Sequence, residues 1–267
     1  MEITLTIIFV LLGLAIGSFL NVCIDRLPAG RSLLSPPSHC DACQRRLSIK
    51  DLVPLLSYIW LRGRCRYCHA HIPLRSLWVE IASAGLVAFS YWHYGLGAAF
   101  VVTAFYSCLF LAILFIDWEH QLILNKVTYP AALLALVISF FHPPPGIIDI
   151  SLPWPMVAAG LSGLTGSLLG GAIGFFFFLI PILISPQGMG WGDVKLAALI
   201  GLVTGFPGVF TALLIGIVIG GVYAIALLLL RKKGRKDVIP YGTFLAIGPI
   251  VTLFWGNDIL GWYLAFF

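Results

Sequence analysis

The sequence predicts an all-α polytopic membrane protein of about eight transmembrane helices that carries a small zinc-binding cytoplasmic loop domain. Hydrophobic residues make up 60% of the 267 positions and charged residues only 10%, with a mean hydropathy of +1.01. Soluble domains carry roughly 25% charged residues, so this composition indicates a chain solvated largely by lipid. Backbone groups within a bilayer must be satisfied internally, which leaves helices or a closed barrel. The apolar runs are long and do not alternate with polar residues, which favours helices.

Eight apolar segments account for the predicted helices, because each span needs about 20 apolar residues. They run approximately over 3–21, 77–95, 97–116, 127–141, 157–184, 194–206, 208–230 and 243–266. The fourth and sixth are short, which indicates tilt or partial burial within the protein. The first lacks a basic leader and a small-residue cleavage site, so we expect it to remain as a span. Glycines at 166, 170 and 174 predict a face that a neighbouring helix approaches closely.

The distribution of basic residues predicts the orientation of the chain. All 16 Lys and Arg residues lie in the four loops on one side of the predicted bundle, 22–76, 117–126, 185–195 and 231–242. By the positive-inside rule those loops are cytoplasmic and both termini lie outside. The net charge of +5 then reflects membrane orientation, and we expect no nucleic-acid partner. The basic run 231–236 is expected to contact anionic lipid.

Loop 22–76 contains two C-x-x-C pairs, Cys40 with Cys43 and Cys65 with Cys68, separated by 21 residues. Four thiolates in two such turns are the usual ligand set of a structural zinc ion. So short a loop has little core of its own, and a bound metal would supply folding energy. Four protein ligands leave no open position for catalysis. The alternatives are disulfides or free thiols, which a cytoplasmic location disfavours. The neighbouring histidines are interpreted as loop residues: His39, His69 and His71.

Two aspartates lie at the ends of apolar runs on the predicted cytoplasmic side. Asp117 ends the third span, and Asp193 follows a glycine-rich turn that contains Gly190 and Gly192. A carboxylate next to hydrocarbon is costly, so a functional site or a paired charge is expected there. Two such carboxylates share one proton, which allows one to activate water and the other to protonate a leaving amine. The glycines let a substrate backbone approach, so the pair predicts amide hydrolysis without a covalent intermediate.

Simpler interpretations of the same residues remain open. Asp193 is suited to cap the sixth span, or Lys195 could neutralise it, and Asp117 could mark the membrane edge. A transporter could use the pair as a proton or cation site, although such sites usually lie near midmembrane in inverted repeats. We find no such repeat in the sequence. A zinc-bearing membrane scaffold would explain the cysteines but would leave the aspartates unexplained.

Several motifs, in order along the chain, resemble those of the bacterial type IV prepilin peptidases, a family of aspartic membrane proteases. Residues 190–193 (GWGD) resemble the family's G-x-G-D motif, and residues 117–125 (DWEHQLILN) resemble its first aspartate motif, D-x-x-x-x-x-I-P-N. Residues 17–22 (GSFLNV) resemble its N-terminal signature, and the two C-x-x-C pairs resemble those of its bifunctional members. Residues 240–246 (PYGTFLA) resemble its P-F-G-P-F-L-A segment. The full set is far more specific than G-x-G-D alone.

The chain departs from the family pattern at four positions. Leu124 stands where the family has proline, and Glu119 stands where the second acidic residue is usually aspartate. Tyr241 and Thr243 replace phenylalanine and proline before the last span. None of the four is a proposed catalytic carboxylate, but Leu124 is expected to alter the turn after Asp117.

The resemblance implies two reactions on one chain. The first removes the basic leader of a prepilin or pseudopilin after a glycine, with Asp117 and Asp193 as catalytic residues and Gly190, Gly192 and Lys195 shaping the site. The second methylates the new N-terminal amine with S-adenosylmethionine as methyl donor. The candidate residues for this second reaction are Asn21, Arg26 and Glu80.

The resemblance also implies a location and a division of labour along the chain. A multi-pass protein of the bacterial cytoplasmic (inner) membrane is expected, with its active site on the cytoplasmic side and its substrates in the lipid bilayer. Pilus assembly and protein secretion are equally compatible. The expected domains are a first transmembrane helix (1–21), a cytoplasmic zinc-binding loop that carries the methyltransferase region (22–76), and a transmembrane aspartic peptidase domain (77–267).

Overall fold

The computed structural model describes residues 2–142, 155–184, 190–230 and 240–266. Within these ranges the chain forms α-helices and one short 3₁₀ turn, Ile49–Asp51, and contains no β-strand. The helices are α1 (Glu2–Arg26), α2 (Leu56–Trp60), α3 (Leu74–Tyr94), α4 (Ala98–His120), α5 (Asn125–Phe141), α6 (Pro155–Ile184), α7 (Trp191–Thr204), α8 (Gly208–Leu229) and α9 (Tyr241–Leu264). The basic run 231–236, which was expected to contact lipid, lies outside the described residues.

Each of the eight predicted spans coincides with a helix. Five described helices are long and apolar enough to cross a membrane: α1, α4, α8, α9 and the Leu161–Ile184 part of α6. The chain is therefore a membrane protein. Helix α7 has 14 residues and a length of about 21 Å, shorter than the roughly 30 Å hydrocarbon core of a bilayer. Helix α5 is also short and α3 is less apolar, so the count of eight spans stays a prediction.

The chain divides into two compact units, Met1–Ala112 and Ile113–Phe267. The first unit contains α1 to α3, most of α4 and the cysteine-bearing loop between α1 and α3. The second contains the end of α4 and helices α5 to α9. The division falls within α4, whereas the predicted domain limits follow the ends of the loop 22–76. Those limits remain predictions.

In the first unit, glycines let α1 and α3 pack closely. A Cβ atom at Gly13 would lie 2.6 Å from Cα of Ala84, and one at Gly17 would lie 2.6 Å from Cα of Glu80. No side chain fits at that separation, so the two glycines set the distance between the helices. The hydroxyl of Ser83 donates to the carbonyl of Gly13 over 2.8 Å. The contacts proceed in opposite directions along the two helices, which are therefore antiparallel.

In the second unit, α7 lies at the centre and packs against α5, α6, α8 and α9. Val194, Leu196 and Ala197 are fully buried, because protein rather than lipid surrounds this helix. A short helix can therefore be stable there without spanning a bilayer. Added Cβ atoms at Gly170 and Gly174 of α6 would collide with the backbone of α7. The predicted close-packing face is confirmed at these two positions.

Helix α9 packs against α8 with similarly close contacts. A Cβ atom at Gly216 would lie 2.9 Å from Cα of Leu245, and one at Gly248 would meet the carbonyl of Ala212. Substitution at either glycine would force the helices apart. These contacts hold α9 in place, and its first turn, which begins at Tyr241, reaches the end of α4.

Candidate active site and metal site

The side chain of Asp117 lies near the end of α4 and is only 4% exposed. Its Oδ2 atom accepts two hydrogen bonds from Thr243: the backbone N–H donates over 2.6 Å and the hydroxyl over 3.0 Å. The Thr243 hydroxyl also lies 3.4 Å from the carbonyl oxygen of Leu114. A buried carboxylate needs such donors to offset the loss of water. The first turn of α9 therefore holds Asp117 in place.

Gly242 brings the first turn of α9 against this carboxylate. A Cβ atom added at Gly242 would lie 3.1 Å from both Cγ and Oδ2 of Asp117, and 3.0 Å from Cδ1 of Ile123. Any side chain here would move α9 or the aspartate by a few tenths of an ångström. The close approach of the two helices, rather than an unusual backbone conformation, therefore requires glycine at this position.

Asp193 is the third residue of α7, and Gly190 is the N-cap, with φ −82° and ψ 145°. The backbone N–H of Asp193 donates to the carbonyl of Gly190 over 3.0 Å, and the N–H of Gly190 donates to the Asp193 carboxylate. An acid that reaches back to the N-cap N–H forms half of a capping box. The alternative that Asp193 is itself the N-cap is therefore wrong, because Gly190 occupies that position.

The structure brings Asp117 and Asp193 into one site. The Asp117 carboxylate is close enough to act electrostatically on Asp193, and Asp193 acts in the same way on Tyr241. A Cβ atom added at Gly192 would lie 3.1 Å from Ile123, the same side chain that contacts the start of α9. The ends of α4, α7 and α9 are distant in the sequence and meet here at one polar point in an apolar bundle.

Lys195 is directed toward α5. Its Nζ atom donates to Oδ1 of Asn125 over 2.9 Å and lies 5.6 Å from the ring centroid of Tyr129, a favourable position for a cation. Asn125 is the first residue of α5 and the last residue of the motif that begins at Asp117. In the described part of the chain, Lys195 thus links the two aspartate motifs through Asn125 rather than through a bond to Asp193.

Leu124, which stands at a proline position of the family motif, precedes α5 with φ −79° and ψ 121°. Proline itself holds φ near about −65°, so leucine adopts here a conformation close to that of proline. Its carbonyl accepts hydrogen bonds from the N–H groups of Val127 and Thr128, both over 3.0 Å. The backbone at Leu124 is therefore compatible with the proline of the family motif, and an altered turn after Asp117 stays a prediction.

The Sγ atoms of Cys40, Cys43, Cys65 and Cys68 all lie within 4.8 Å of one another. Two of them, those of Cys40 and Cys68, are 3.7 Å apart. Tetrahedral zinc with Zn–S bonds of about 2.3 Å places its sulfurs about 3.8 Å apart, so the spacing fits one ion. Within the described residues, this cluster contains no histidine and could hold a metal ion.

The two C-x-x-C pairs have the same local fold. The N–H of Cys40 donates to the carbonyl five residues later, and its own carbonyl accepts from the N–H four residues later. Cys65 makes the same two bonds in the second pair. Gln44 and His69 close the two turns with φ values of 57° and 58°. Each pair therefore forms a knuckle that presents two thiols toward one point.

The thiols of the second pair differ in acidity. Backbone N–H groups of Cys68 and Tyr67 donate to Sγ of Cys65 and lower the pKa of Cys65 to about 7. The N–H of Ala70 acts in the same direction on Cys68, but burial and the neighbouring thiols outweigh it and raise the pKa of Cys68 to about 12. One thiol thus ionises readily near neutral pH, and a bound metal would displace the protons of the others.

Asp51 links the segment that follows the first knuckle to the second knuckle. Its Oδ2 atom accepts from the N–H (3.0 Å) and hydroxyl (2.7 Å) of Ser48, and its Oδ1 atom accepts from Nε of Arg66 over 2.6 Å. Burial opposes the ionisation of Asp51, but the hydrogen bonds from Ser48 and Arg66 outweigh it and lower its pKa. Arg66 lies between Cys65 and Cys68, so this contact ties the segment after the first pair to the second pair.

Two of the candidates for methyl transfer, Asn21 and Glu80, are buried where α1 faces α3. Nδ2 of Asn21 donates to the carbonyl of Ser76 over 3.0 Å. Oε2 of Glu80 accepts from the N–H of Leu55 over 2.7 Å, and its carboxylate also hydrogen-bonds Ser18. Asn21 therefore connects α1 to α3, and Glu80 connects α3 to α1 and to the loop between them.

The third candidate, Arg26, lies at the end of α1. Its guanidinium donates to the carbonyls of Ser32 over 3.0 Å and Leu33 over 3.4 Å. The adjacent Asp25 accepts from Arg75 of α3 over 2.7 Å. Arg26 thus fixes the chain as it enters the loop, whereas the other two candidates lie inside the helix pair.

Sequence reasoning missed three residues that support these sites. Thr243 and Asn125 lie within motifs that the sequence analysis identified, so their place in those motifs could have indicated that they support the site. Asp51 offers no such signal, because a carboxylate in a polar loop is usually solvated. Its role depends on the fold that brings Arg66 beside it.

Two family models match the chain. The Bacterial Peptidase A24 N-terminal domain matches residues 11–94, and the Type IV leader peptidase family matches residues 103–225. The first match includes the cysteine cluster, and the second includes both aspartates.

Relatives of similar length match nearly the whole chain. A prepilin leader peptidase/N-methyltransferase from Stutzerimonas stutzeri is 30% identical, over 96% of this chain and 92% of its own length. Proteins of the same name are 32% identical in Xanthomonas campestris pv. campestris (96% and 93%) and 28% identical in Bacillus subtilis (97% and 98%). No solved structure matches the chain. With these matches over almost its full length, the chain belongs to the type IV leader peptidase family.

Proposed function

We propose that this chain is a membrane aspartic endopeptidase that removes the basic leader peptide of type IV prepilins or pseudopilins after a glycine. Its relatives are named prepilin leader peptidase/N-methyltransferase, which supports this activity and gives no support to a transporter. The observation that carries the proposal is the meeting of Asp117 and Asp193 beside the first turn of α9.

The chemistry follows from two carboxylates in an apolar surrounding. They share a single proton near neutral pH, because like charge and desolvation oppose ionisation of both. The ionised carboxylate takes a proton from water, and the protonated one donates to the leaving amine. A Cβ atom at Gly190 would lie 3.8 Å from Oδ2 of Asp193, so glycine there lets a substrate backbone approach the carboxylate, whereas Gly192 allows close packing against Ile123.

We propose N-methylation of the new N-terminal residue as the second activity, in keeping with the names of the relatives. S-adenosylmethionine, when bound, supplies the methyl group. Asn21 fits such a role because its buried Oδ1 has no hydrogen-bond partner among the described residues. The buried carboxylate of Glu80 is suited to a cationic amine or sulfonium, and Arg26 to a carboxylate. These three residues would hold the donor or the amine.

The four cysteines are proposed to bind one structural zinc ion. Four thiolates complete a tetrahedral shell, so the metal would stabilise the loop without touching substrate. The ligands are Cys40, Cys43, Cys65 and Cys68. The loop 22–76 has few other means of holding its shape, because it contains only a 3₁₀ turn and the five-residue α2.

The proposed location is the bacterial inner membrane, with eight spans and the aspartates on the cytoplasmic side. The positive-inside distribution of Lys and Arg supports this orientation. A basic leader would remain on the same side, next to the carboxylates that cut it. In this arrangement 1–21 is the first span, 22–76 the zinc-binding loop and 77–267 the peptidase domain, which acts on membrane-inserted prepilins or pseudopilins.

The test is mass spectrometry of a prepilin peptide incubated with the purified protein in detergent, with and without S-adenosylmethionine. We expect cleavage after the leader glycine, and addition of one methyl group only when the donor is present. Asp117→Asn should abolish cleavage. Asp258→Asn is the matched control, because Asp258 is exposed near the far end of α9. An uncut peptide with a folded wild-type protein would overturn the peptidase assignment.

A further inference from the structure

The hydrogen bonds on Asp117 distinguish the two catalytic carboxylates, which the sequence leaves equivalent. We infer that Thr243 is a positioning residue that keeps Asp117 as the ionised member of the pair, so that Asp117 acts as general base and Asp193 as general acid. This inference rests on the proposed peptidase function and assigns roles within the same site.

The geometry at Asp117 favours the charged form. Both donors of Thr243 point at the same oxygen, Oδ2, over 2.6 Å and 3.0 Å. A backbone N–H can only donate, so Oδ2 must offer a lone pair to it. An oxygen that accepts two hydrogen bonds is a poor site for a proton, and the carboxylate is favoured. The other oxygen, Oδ1, remains available to take a proton from water.

The position of Thr243 in α9 strengthens this effect. It is the third residue of the helix, and its N–H is one of those that the first turn leaves without a partner inside the helix. Such N–H groups, together with the helix dipole, favour an anion. Asp117 belongs to another helix, so it acts at α9 as a bound anion would.

Asp193 receives less support for its charge. Among the described residues, one backbone N–H, that of Gly190, donates to its carboxylate from within its own turn. Its position in the first turn of α7 also favours a negative charge, but the neighbouring charge of Asp117 opposes it. Among the described residues two donors reach Asp117 and one reaches Asp193, so we place the shared proton on Asp193.

Other charged groups near the pair do not reverse this assignment. The surrounding helix ends carry Glu119 and His120 on α4, Lys126 and Tyr129 on α5, Lys195 on α7, Tyr223 on α8 and Tyr241 on α9. Lys195 is engaged by Asn125, and His120 lies 4.0 Å from Glu119. Tyr241 lies close enough to Asp193 to interact with it electrostatically. Its phenol is a neutral neighbour of that carboxylate.

The chain departs from the family segment at this position. In the P-F-G-P-F-L-A segment that residues 240–246 resemble, proline stands where this chain has Thr243. Proline has neither an N–H nor a hydroxyl and would remove both donors from Oδ2 of Asp117. The chain therefore orients its base with a pair of bonds that the family segment does not supply.

The reaction balances with these roles. Asp117 removes a proton from water as the water oxygen bonds to the amide carbon, and Asp193 gives its proton to the amide nitrogen as the carbon–nitrogen bond breaks. The products are a carboxylic acid and an amine. Transfer of a proton from Asp117 to Asp193 restores the starting state, and no further reactant is needed.

The pH dependence of kcat/KM for leader cleavage tests the assignment. Thr243→Val removes the hydroxyl and keeps the N–H, Thr243→Pro removes both, and Thr243→Ser keeps both. Loss of donors makes Asp117 easier to protonate, so the acidic limb should move to higher pH by about one unit per donor removed. The basic limb, which reports the acid Asp193, should stay in place. Thr243→Ser should overlay the wild type.

Thr252→Val is the matched control, because Thr252 is buried on the same helix and its hydroxyl donates to the carbonyl of Gly248, over 2.9 Å, rather than to Asp117. Thermal unfolding of each variant in detergent separates loss of fold from loss of chemistry. If Thr243→Pro does not fold, the comparison of Thr243→Val with Thr243→Ser decides.

Four outcomes would overturn the inference or the function on which it rests. A shift of the basic limb alone would assign the base to Asp193. An unchanged profile in Thr243→Val, or an equal loss of rate at every pH, would make Thr243 merely structural. A wild-type protein that leaves the peptide intact would overturn the proposed function itself, and that result is visible before any variant is made.

Discussion

The aspartate site and the cysteine cluster are built in opposite ways. The aspartate site joins the ends of α4, α7 and α9, and the bonded residues Asp117 and Thr243 are 126 positions apart in the sequence. The cysteine cluster uses two short knuckles, each of which forms bonds over four or five residues. The first therefore depends on how whole helices pack, and the second depends on local turns and on whatever the four sulfurs bind.

This contrast predicts how each region responds to change. The interior of a helix bundle is close-packed, so a small displacement of one helix also displaces the side chains that contact it. A small loop with few buried side chains depends instead on a few strong bonds. The aspartate site should thus be sensitive to added volume, and the cysteine cluster should be sensitive to loss of a ligand.

The largest effect is expected for Asp193→Asn. The substitution keeps the shape of the side chain and removes its proton, so cleavage should fall by about a thousandfold or more while the protein stays folded. Mass spectrometry of the prepilin peptide measures the rate, and thermal unfolding in detergent monitors the fold. Retained cleavage by a folded variant would remove Asp193 from the mechanism.

A smaller effect, confined to the other region, is expected for Cys40→Ser. Loss of one thiolate should weaken zinc binding by about a hundredfold and reduce methylation, whereas cleavage should change much less. Metal content measured by mass spectrometry and the two activities measured together provide the comparison. Cys23→Ser is the control, since Cys23 lies on α1 outside the cluster. Equal loss of both activities would contradict the separation of the two regions.

Gly242→Ala tests the dependence of the aspartate site on packing. The new Cβ atom would lie 3.1 Å from Cγ of Asp117, so the carboxylate should be displaced by a few tenths of an ångström. We expect cleavage to fall about tenfold with little change in unfolding temperature. Gly261→Ala is the matched control on the same helix, because a Cβ atom there meets nothing within 4 Å. Equal rates for the two variants would show that the close approach of α9 is unimportant.

The smallest effect is expected for Asp51→Asn in the cysteine loop. The pKa of Asp51 is lowered in the folded protein, so its contribution to stability is present above its unfolded pKa and is lost as pH falls through the folded one. The partly exposed Arg66 limits that contribution to about 1 kcal/mol. Hydrogen exchange of the loop between about pH 2 and pH 5 should show the wild type losing protection at acid pH and the variant insensitive to it. Identical pH dependence in both proteins would contradict this role for Asp51.

The sequence predicted well wherever the signal was local. The helices lie where the apolar runs are, each C-x-x-C pair forms a local turn, and the four cysteines cluster as their spacing predicted. The glycine spacing in α6 indicated a close helix contact, and Gly170 and Gly174 make one. The sequence also indicated that the sixth apolar segment is short, and α7 has only 14 residues. Helix α7 is surrounded by protein, and its apolar composition reflects that burial as much as contact with lipid.

The sequence alone did not predict the hydrogen bonds and the helix cap at the aspartate site. Nothing in a one-dimensional pattern indicates that Thr243 donates twice to Asp117, or that Gly190 rather than Asp193 caps α7. Both depend on where helix ends lie in space. The same is true of Lys195, whose partner proved to be Asn125 and not the nearby aspartate.

By itself the sequence determined that this protein is helical and apolar, that two aspartates end apolar runs on one predicted side, and that four cysteines are spaced to share a metal. Composition and short-range spacing are sufficient for such conclusions, because they depend on solvent preference and local turns. Only the tertiary structure decided which groups surround each carboxylate. Close packing at Gly242 places Thr243 on Asp117 and not on Asp193, and this asymmetry arises from contacts between helices that are far apart in the chain.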